Sequence, residues 1–375
     1  MKNIIYCKKC LIPNTRPNIY FDKNNQCNVC SSKNVKKKIN WRKRNQEFKI
    51  IVNSVKKKKL PYDCLIPVSG GKDSTWQVIT ALKYKMKPLC VTWKTPVRTK
   101  IGEENLQNLI RLGVDHIDFS INPIVERKFV IKAFSKYGNP LLPMHMALHS
   151  IPVRIAIEKK IPLIIWGENS ADEYGGKKYL KGPKMTNKWR SVYGLTHKTH
   201  ARDWVDKTLS RADLDPYFLP TQKKILSNGI KEIFLGYYFK WDPNISYKIS
   251  KSYGFKSSKK AKLGLYKFAD IDDQFMMNVG HWMKWYKFGL TRLWDNIAIE
   301  IRNNRLSKLK AIDILKKENL PINEIKKFCS YTNISNKKFF SIANKFRNKS
   351  IWSKKNKKWK INNFLIKNWN WKNEI

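Results

Sequence analysis

The sequence predicts an α/β protein with a doubly wound parallel sheet, an N-terminal zinc-ribbon-like module and a C-terminal helical region. Three observations carry this. Between residues 62 and 166, short apolar runs alternate with helical patterns. The first run, Asp63-Cys64-Leu65-Ile66-Pro67-Val68, ends in Ser69-Gly70-Gly71-Lys72-Asp73-Ser74, a glycine turn that opens a helix. Ahead of both lie Cys7-Lys8-Lys9-Cys10 and Cys27-Asn28-Val29-Cys30, two C-x2-C pairs with sixteen residues between them. The units expected from this are 1–45, 46–242 and 243–375.

Two C-x2-C knuckles place four thiolates around one point. Four soft sulfurs close a tetrahedral site with no open position, so the metal is structural rather than catalytic. Zn2+ is the expected ion at Cys7, Cys10, Cys27 and Cys30, and an iron site of the rubredoxin kind remains open. The segment 33–59 is basic, and its later apolar residues, Phe48, Ile51, Val52 and Val55, recur at helical spacing.

From Tyr62 the α/β pattern runs in order. Strands are expected to Val68, over Pro88–Trp93, Asp115–Ser120 and Ile161–Trp166, with helices over Asp73–Tyr84, Gly102–Leu112, Pro123–Tyr137 and Pro143–Lys160. Strands alternating with helices make a parallel sheet, whose ligands bind at the carboxyl ends of the strands. That rule gathers Ser69 to Ser74, Thr92 and Gly167-Glu168-Asn169 on one rim. Lys177–Arg202 lacks periodicity and reads as a long surface insertion. Glu232–Asp242 reads as one more strand. A helical segment introduced by Phe268 and broken near Gly289 reaches Asn303, and helices follow over Ser307–Glu318, Ile322–Cys329 and Asn336–Phe346. Asp270, Asp272 and Asp273 suit a helix N-terminus. The tail carries Trp352, Trp359, Trp369 and Trp371 among lysines, and is expected to dock on the domain. His145, His149, His197 and His200 have no further ligand in view and read as ordinary core or loop histidines.

A strand delivering two glycines to a helix N-terminus is a phosphate site, because backbone N–H groups and the helix dipole converge on an anion. It is not a Walker A loop: Ile66 occupies the place of the first glycine, and Asp73 that of the Ser or Thr.

Over 375 residues the formal charge is +48. Such an excess ordinarily points to a polyanion, but here it is spread along the chain together with abundant asparagine, the mark of AT-rich coding. It is weak support for nucleic acid. Neither a signal-peptide core nor a membrane-spanning run is visible, so a cytoplasmic protein without a membrane partner is expected, its seven cysteines serving metal or remaining free thiols.

The stretch Ser69–Ser74 resembles the PP-loop of the ATP pyrophosphatases, which split ATP into AMP and pyrophosphate. With the cysteine pairs, Trp166-Gly167-Glu168-Asn169, Glu173-Tyr174-Gly175 and Gly289-Leu290-Thr291-Arg292 with Asp295, the chain looks like the N-acetyl sugar amidotransferases of lipopolysaccharide, O-antigen and pseudaminic or legionaminic acid pathways. The resemblance implies ATP and Mg2+, with Lys72, Asp73 and Glu168 as catalytic groups. It implies a nucleotide site of Ser69, Gly70, Gly71, Lys72, Asp73, Ser74, Thr92, Gly167 and Asn169. It also implies an acetamido sugar, nucleotide-linked, as acceptor, and ammonia supplied by glutaminase and barrel subunits resembling imidazole glycerol phosphate synthase. The competing readings are a PP-loop enzyme that thiolates tRNA or forms lysidine, and a zinc-ribbon nucleic-acid-binding protein.

Overall fold

The computed structural model describes residues 3–32, 39–355, 358–367 and 369. Residues 33–38 of the basic segment, and Trp371, lie outside the described residues. Helix α1 (Trp41–Lys56) begins at the Asn40 cap, whose side chain accepts from the Lys43 N–H. Five strands follow: β1 (Cys64–Pro67), β2 (Pro88–Trp93), β3 (Asp115–Phe119), β4 (Leu163–Trp166) and β5 (Lys231–Phe234). They form one sheet in the order β3-β2-β1-β4-β5, every pairing parallel.

Alternating residues of β1, β2 and β4 feed two cores. Leu65, Leu89, Val91 and Ile164 face α4 (Pro123–Tyr137) and α5 (Leu142–Glu158). Cys64, Ile66, Cys90, Leu163 and Ile165 face α1, α2 (Lys72–Lys83) and α3 (Lys100–Ile110), and α6 (Pro243–Lys251) packs on α2. Burial on both faces explains the unbroken apolar runs.

A third core joins the ribbon to the C-terminal region. It packs Ile4, Leu11, Ile12 and the four cysteines with α7 (Met276–Phe288), α8 (Arg292–Arg302), α9 (Lys308–Lys316), α10 (Ile322–Thr332) and α11 (Asn336–Lys345). The tail closes this core as a hairpin of β6 (Trp352–Lys355) and β7 (Lys358–Ile361). Trp352 meets Trp285 edge-on and Trp369 packs on it at a tilt, at ring distances of 5.2 Å each. The docked tail is thus present, and Met276, Trp282, Met283 and Trp285 are core residues.

Three expectations change. The strand over Glu232–Asp242 stops at Phe234 and turns into a short helix, Leu235–Tyr238. The Gly236 N–H donates to the Gly167 carbonyl at 3.1 Å, so the chain must bend over the rim instead of extending the sheet. Lys177–Arg202 is not a structureless loop. It folds as short helical turns that bury Leu180, Trp189 and Arg190, Arg190 pairing with buried Glu232. Lastly, the helix after Phe268 begins only at Met276. Of the three aspartates before it, Asp273 acts as a cap, accepting from the Met277 N–H at 3.0 Å. Asp270 lies instead against His281 and Arg292. Among the described residues no helix is long and apolar enough to cross a membrane.

Candidate active site

The strand order reverses direction between β1 and β4, and the carboxyl ends of both strands there border the crevice at which sheets of this kind take their ligands. The chain leaving β1 forms the glycine loop, and the chain leaving β4 supplies Gly167 and Glu168. The two halves of the predicted rim therefore face each other across the switch point.

The loop is braced from within. The Gly71 N–H donates to Ser69 Oγ at 3.3 Å, and Ser74 Oγ and Thr75 Oγ1 donate back to the Gly71 carbonyl at 2.9 and 3.0 Å. Gly70 has φ +78°, and a Cβ there would lie 2.6 Å from the Leu106 nitrogen. Only glycine fits that turn. Helix α2 starts at once with Lys72, leaving its first N–H groups directed at the crevice.

Lys72 is 8% exposed, pairs with Asp73, and lies 5.5 Å over the Phe268 ring. The other Asp73 oxygen accepts from Trp241 Nε1 at 3.1 Å. Burial, then the charge of Asp73, pushes the Glu168 carboxyl up to about 7, while Lys72 pulls the other way. Asp73, Glu168 and Lys72 thus form one electrostatic cluster, Asp73 raising the Glu168 carboxyl and Lys72 lowering it.

The other expected contacts are placed as follows. Ser69 is exposed at the loop tip. Thr92 sits at the end of β2 but is 3% exposed and hydrogen-bonded to His116 Nε2 at 2.8 Å. Asn169 is 2% exposed and has all its side-chain bonds within the chain: it caps the next turn through Ala171 N–H, accepts from Trp189 Nε1, and donates to the Leu180 and Gly182 carbonyls. Its place is to hold the segment beside Glu168, not to reach into the crevice. His149 is buried against Trp166 and Trp189, and His145 Nδ1 faces the Leu141 carbonyl at 2.7 Å.

The opposite wall of the crevice comes from segments the sequence left unassigned. From the loop between the cysteine pairs, Arg16 Nε donates to Asp295 Oδ1 at 2.6 Å, and its Nη1 donates to the Tyr174 carbonyl at 2.8 Å. Lys284 Nζ lies 3.1 Å from the second Asp295 oxygen. Burial opposes ionisation of Asp295, but Arg16 and Lys284 outweigh it and hold the carboxyl well below the usual range. Asp73, Trp241, Tyr174, Arg16 and Asp295 make a continuous path from glycine loop to C-terminal region, with the Trp241 and Tyr174 rings 6.2 Å apart. The signal available beforehand was the Thr291-Arg292 and Asp295 stretch; nothing in the sequence tied Arg16 to it. Behind Trp241 lies a cavity of about 650 Å³, bordered by Trp41, Arg44, Glu173, Tyr237 and Arg302.

The cysteines fit a metal. Their sulfurs lie within 4.8 Å of one another, with Cys7–Cys30 at 3.8 Å and Cys10–Cys27 at 3.7 Å. A tetrahedron with Zn–S of about 2.3 Å requires about the same sulfur spacing. The set suits a single tetrahedral ion.

Residues 265–365 match the family described as LPS biosynthesis protein WbpG-like, C-terminal domain. No curated protein matches the chain. Among solved structures, NMN synthetase from Francisella tularensis is 14% identical, covering 80% of this chain and 96% of its own, with a TM-score of 0.30. A U34-tRNA thiolase from Methanococcus maripaludis, with its 4Fe-4S cluster, is 15% identical, covering 85% and 91%, with a TM-score of 0.33. The NH3-dependent NAD synthetase from Campylobacter jejuni is 17% identical, covering 51% and 95%, with a TM-score of 0.27. At these scores the sheet order and the loop, not the likenesses, establish the fold. The matched C-terminal segment contains Asp270, His281, Lys284, Arg292 and Asp295, the far wall of the crevice.

Proposed function

We propose that this chain is an ATP-dependent amidotransferase that converts an acetamido group of a sugar into an acetamidino group, in lipopolysaccharide or related surface-glycan synthesis. The observation that carries this reading is the crevice itself. One wall is a phosphate-binding loop with Glu168 beside it, and the other belongs to the segment matching a lipopolysaccharide-biosynthesis domain.

An amide oxygen leaves poorly, so it must be activated. In the proposed reaction the acetamido oxygen attacks the α-phosphorus of ATP. An O–P bond forms, the bond to pyrophosphate breaks, and the sugar becomes an adenylyl imidate. Ammonia then adds to the imidate carbon, the C–O bond breaks, AMP departs, and the surplus proton passes to a base in the crevice. The loop N–H groups and Lys72 stabilise the charge on the departing pyrophosphate, which is positioning and electrostatics rather than covalent catalysis. Asp73 and Glu168 are the residues that would hold Mg2+. That ion would neutralise the phosphates. Zn2+ is the ion assigned to the four cysteines.

Ammonia must reach this site from elsewhere. The three cysteines outside the ribbon, Cys64, Cys90 and Cys329, are buried, and burial pushes each thiol up. Such thiols make poor nucleophiles for glutamine. A glutaminase with a barrel subunit that channels ammonia is the partner this reading requires.

The test is pyrophosphate release from ATP and Mg2+ with ammonium and a panel of acetamido sugars, run beside bulk tRNA. Release that depends on the sugar, with a product one mass unit lighter as oxygen is exchanged for NH, supports the proposal. Stimulation by tRNA alone overturns it in favour of a tRNA-modifying enzyme, to which the net charge of +48 lends some weight.

A further inference from the structure

Glu126 lies in the first turn of α4, 3% exposed, and its carboxyl makes no ion pair with any described residue. The nearest donor, Trp93 Nε1, is turned toward it but stays buried without completing a hydrogen bond. A carboxyl withdrawn from water without a donor is costly, and nothing in the fold offsets that cost.

Two tyrosine hydroxyls border the same niche, each brought by a different element. Tyr217, in the turn Asp215–Tyr217, is 2% exposed, and its hydroxyl has no partner. Its ring meets Phe129 edge-on at 5.0 Å, and Phe129 shares a face of α4 with Glu126, three residues earlier. The Tyr331 hydroxyl on α10 is also buried and unpartnered. Helix α10 packs on α4 through Phe328 and Phe134, whose rings are 5.4 Å apart, and Tyr331 follows Phe328 by three residues. The charge of Glu126 acts on both hydroxyls, and Tyr331 acts on Tyr217. Four polar groups from β2, α4, α10 and the turn thus converge without bonding to one another. Such an arrangement has room for a small polar occupant between them.

The chemistry of the niche selects that occupant. The carboxylate and the two phenol oxygens can all accept, and the surrounding walls are the rings of Trp93, Phe129 and Tyr217. A hard metal ion takes about six oxygens, more than are present. Water fits by size but brings no charge to balance the carboxylate. Ammonium is about the size of water, carries four donors, and is attracted by both the carboxylate and the aromatic rings.

We propose that Glu126, Tyr217, Tyr331 and Trp93 form a binding site for ammonium. That this ammonium is the nitrogen donor rests on the amidotransferase reading, whereas its binding does not. The location suits a donor store. Trp93 ends β2, two residues beyond Val91, which pairs with Pro67 at the root of the glycine loop. Proton transfer from ammonium to the Glu126 carboxylate leaves ammonia and the carboxylic acid, with no other reactant, and ammonia is the form that attacks an imidate carbon. Burial pushes the Glu126 carboxyl up to about 8, so it can hold that proton near neutrality.

The experiment compares thermal unfolding of the full chain at pH 8 in equal concentrations of ammonium, potassium, sodium and methylammonium chloride, up to about 100 mM. Ammonium should raise the melting temperature by at least about 1 °C over sodium, with a saturating dependence on concentration. Potassium and methylammonium, the one without donors and the other too large for the niche, should match sodium. Glu126→Gln imitates the neutral acid and so should fold, but should lose the ammonium shift. Tyr217→Phe removes a hydroxyl without a protein partner and should reduce it. Each variant is its own reference, since the shift is a difference between salts. An equal shift with potassium, no shift on the wild-type chain, or a full shift retained in Glu126→Gln would each overturn the inference. An ammonium shift without pyrophosphate release under any condition would remove the proposed reaction and leave the site standing. Where release does occur, Glu126→Gln should raise the KM for ammonium about tenfold and leave that for ATP within about twofold; an unchanged ammonium KM would refute the donor role.

Discussion

Replacing Glu168 with glutamine probes the relation between the two strand ends most directly. Its carboxyl is pushed up to about 7 by burial and then by Asp73, so near neutrality the free protein holds a proton there about half the time. A nucleotide bound with a divalent cation requires the ionised form, and binding below that pH must release the proton. The release lowers apparent affinity about tenfold between pH 8 and pH 6. The terminal phosphate of ATP titrates in the same range and adds its own slope. Glu168→Gln preserves shape and removes only the side-chain titration, so the variant should show the phosphate slope alone. Calorimetry of Mg-ATP binding at pH 6, 7 and 8, in buffers of different ionisation enthalpy, counts the protons released. Equal slopes and equal proton counts in both proteins would refute the placement of Glu168 against the nucleotide.

Other perturbations read other parts of the molecule. Gly70→Ala combines a left-handed backbone with a Cβ 2.6 Å from the Leu106 nitrogen; it should cost at least about 1–2 kcal/mol in urea denaturation and abolish ATP binding. Arg16→Ala leaves Asp295 with Lys284 alone; a loss of about 2–3 kcal/mol is expected, with faster hydrogen exchange at residues 170–176 and 289–296 but not in β1 to β3. Glu126 is 3% exposed, and burial pushes its carboxyl from 4.5 to about 8. It therefore takes up a proton on folding. Stability should fall as pH rises through that window, by at most about 4–5 kcal/mol, and Glu126→Gln should flatten the fall in urea midpoints measured from pH 5 to pH 8.

The central strands β1, β2 and β4 were legible because they are buried on both faces and appear as apolar runs, and because the glycine loop fixes which strand end matters. Glu168 followed from the same rule. Asn169 shows its limit: a polar residue at a strand end can serve the crevice or the backbone, and only the Ala171, Leu180, Gly182 and Trp189 contacts decide. The segment 177–202 misled because its buried residues, Leu180, Met185, Trp189, Arg190 and Ala201, are too irregularly spaced to show a period. The far wall was hidden for another reason. Arg16 and Asp295 are 279 positions apart, and no local pattern records a contact of that span.

That span also bears on synthesis. At about 5–20 residues per second, a ribbon that has emerged waits roughly 15–60 s before Asp295 is made. Asn363, two residues beyond the β6–β7 hairpin, donates to Asn3 at 2.7 Å and comes later still. Over that interval the ribbon lacks its apolar partners in α7 and α8, which do not yet exist, and a metal at its four cysteines is the support that a module of this size would need. The glycine loop and β4 are complete well before Arg16 can close the wall opposite them. A ribosome-bound chain therefore carries the glycine loop without the wall opposite it, and the two sides come together only when the two ends of the sequence meet.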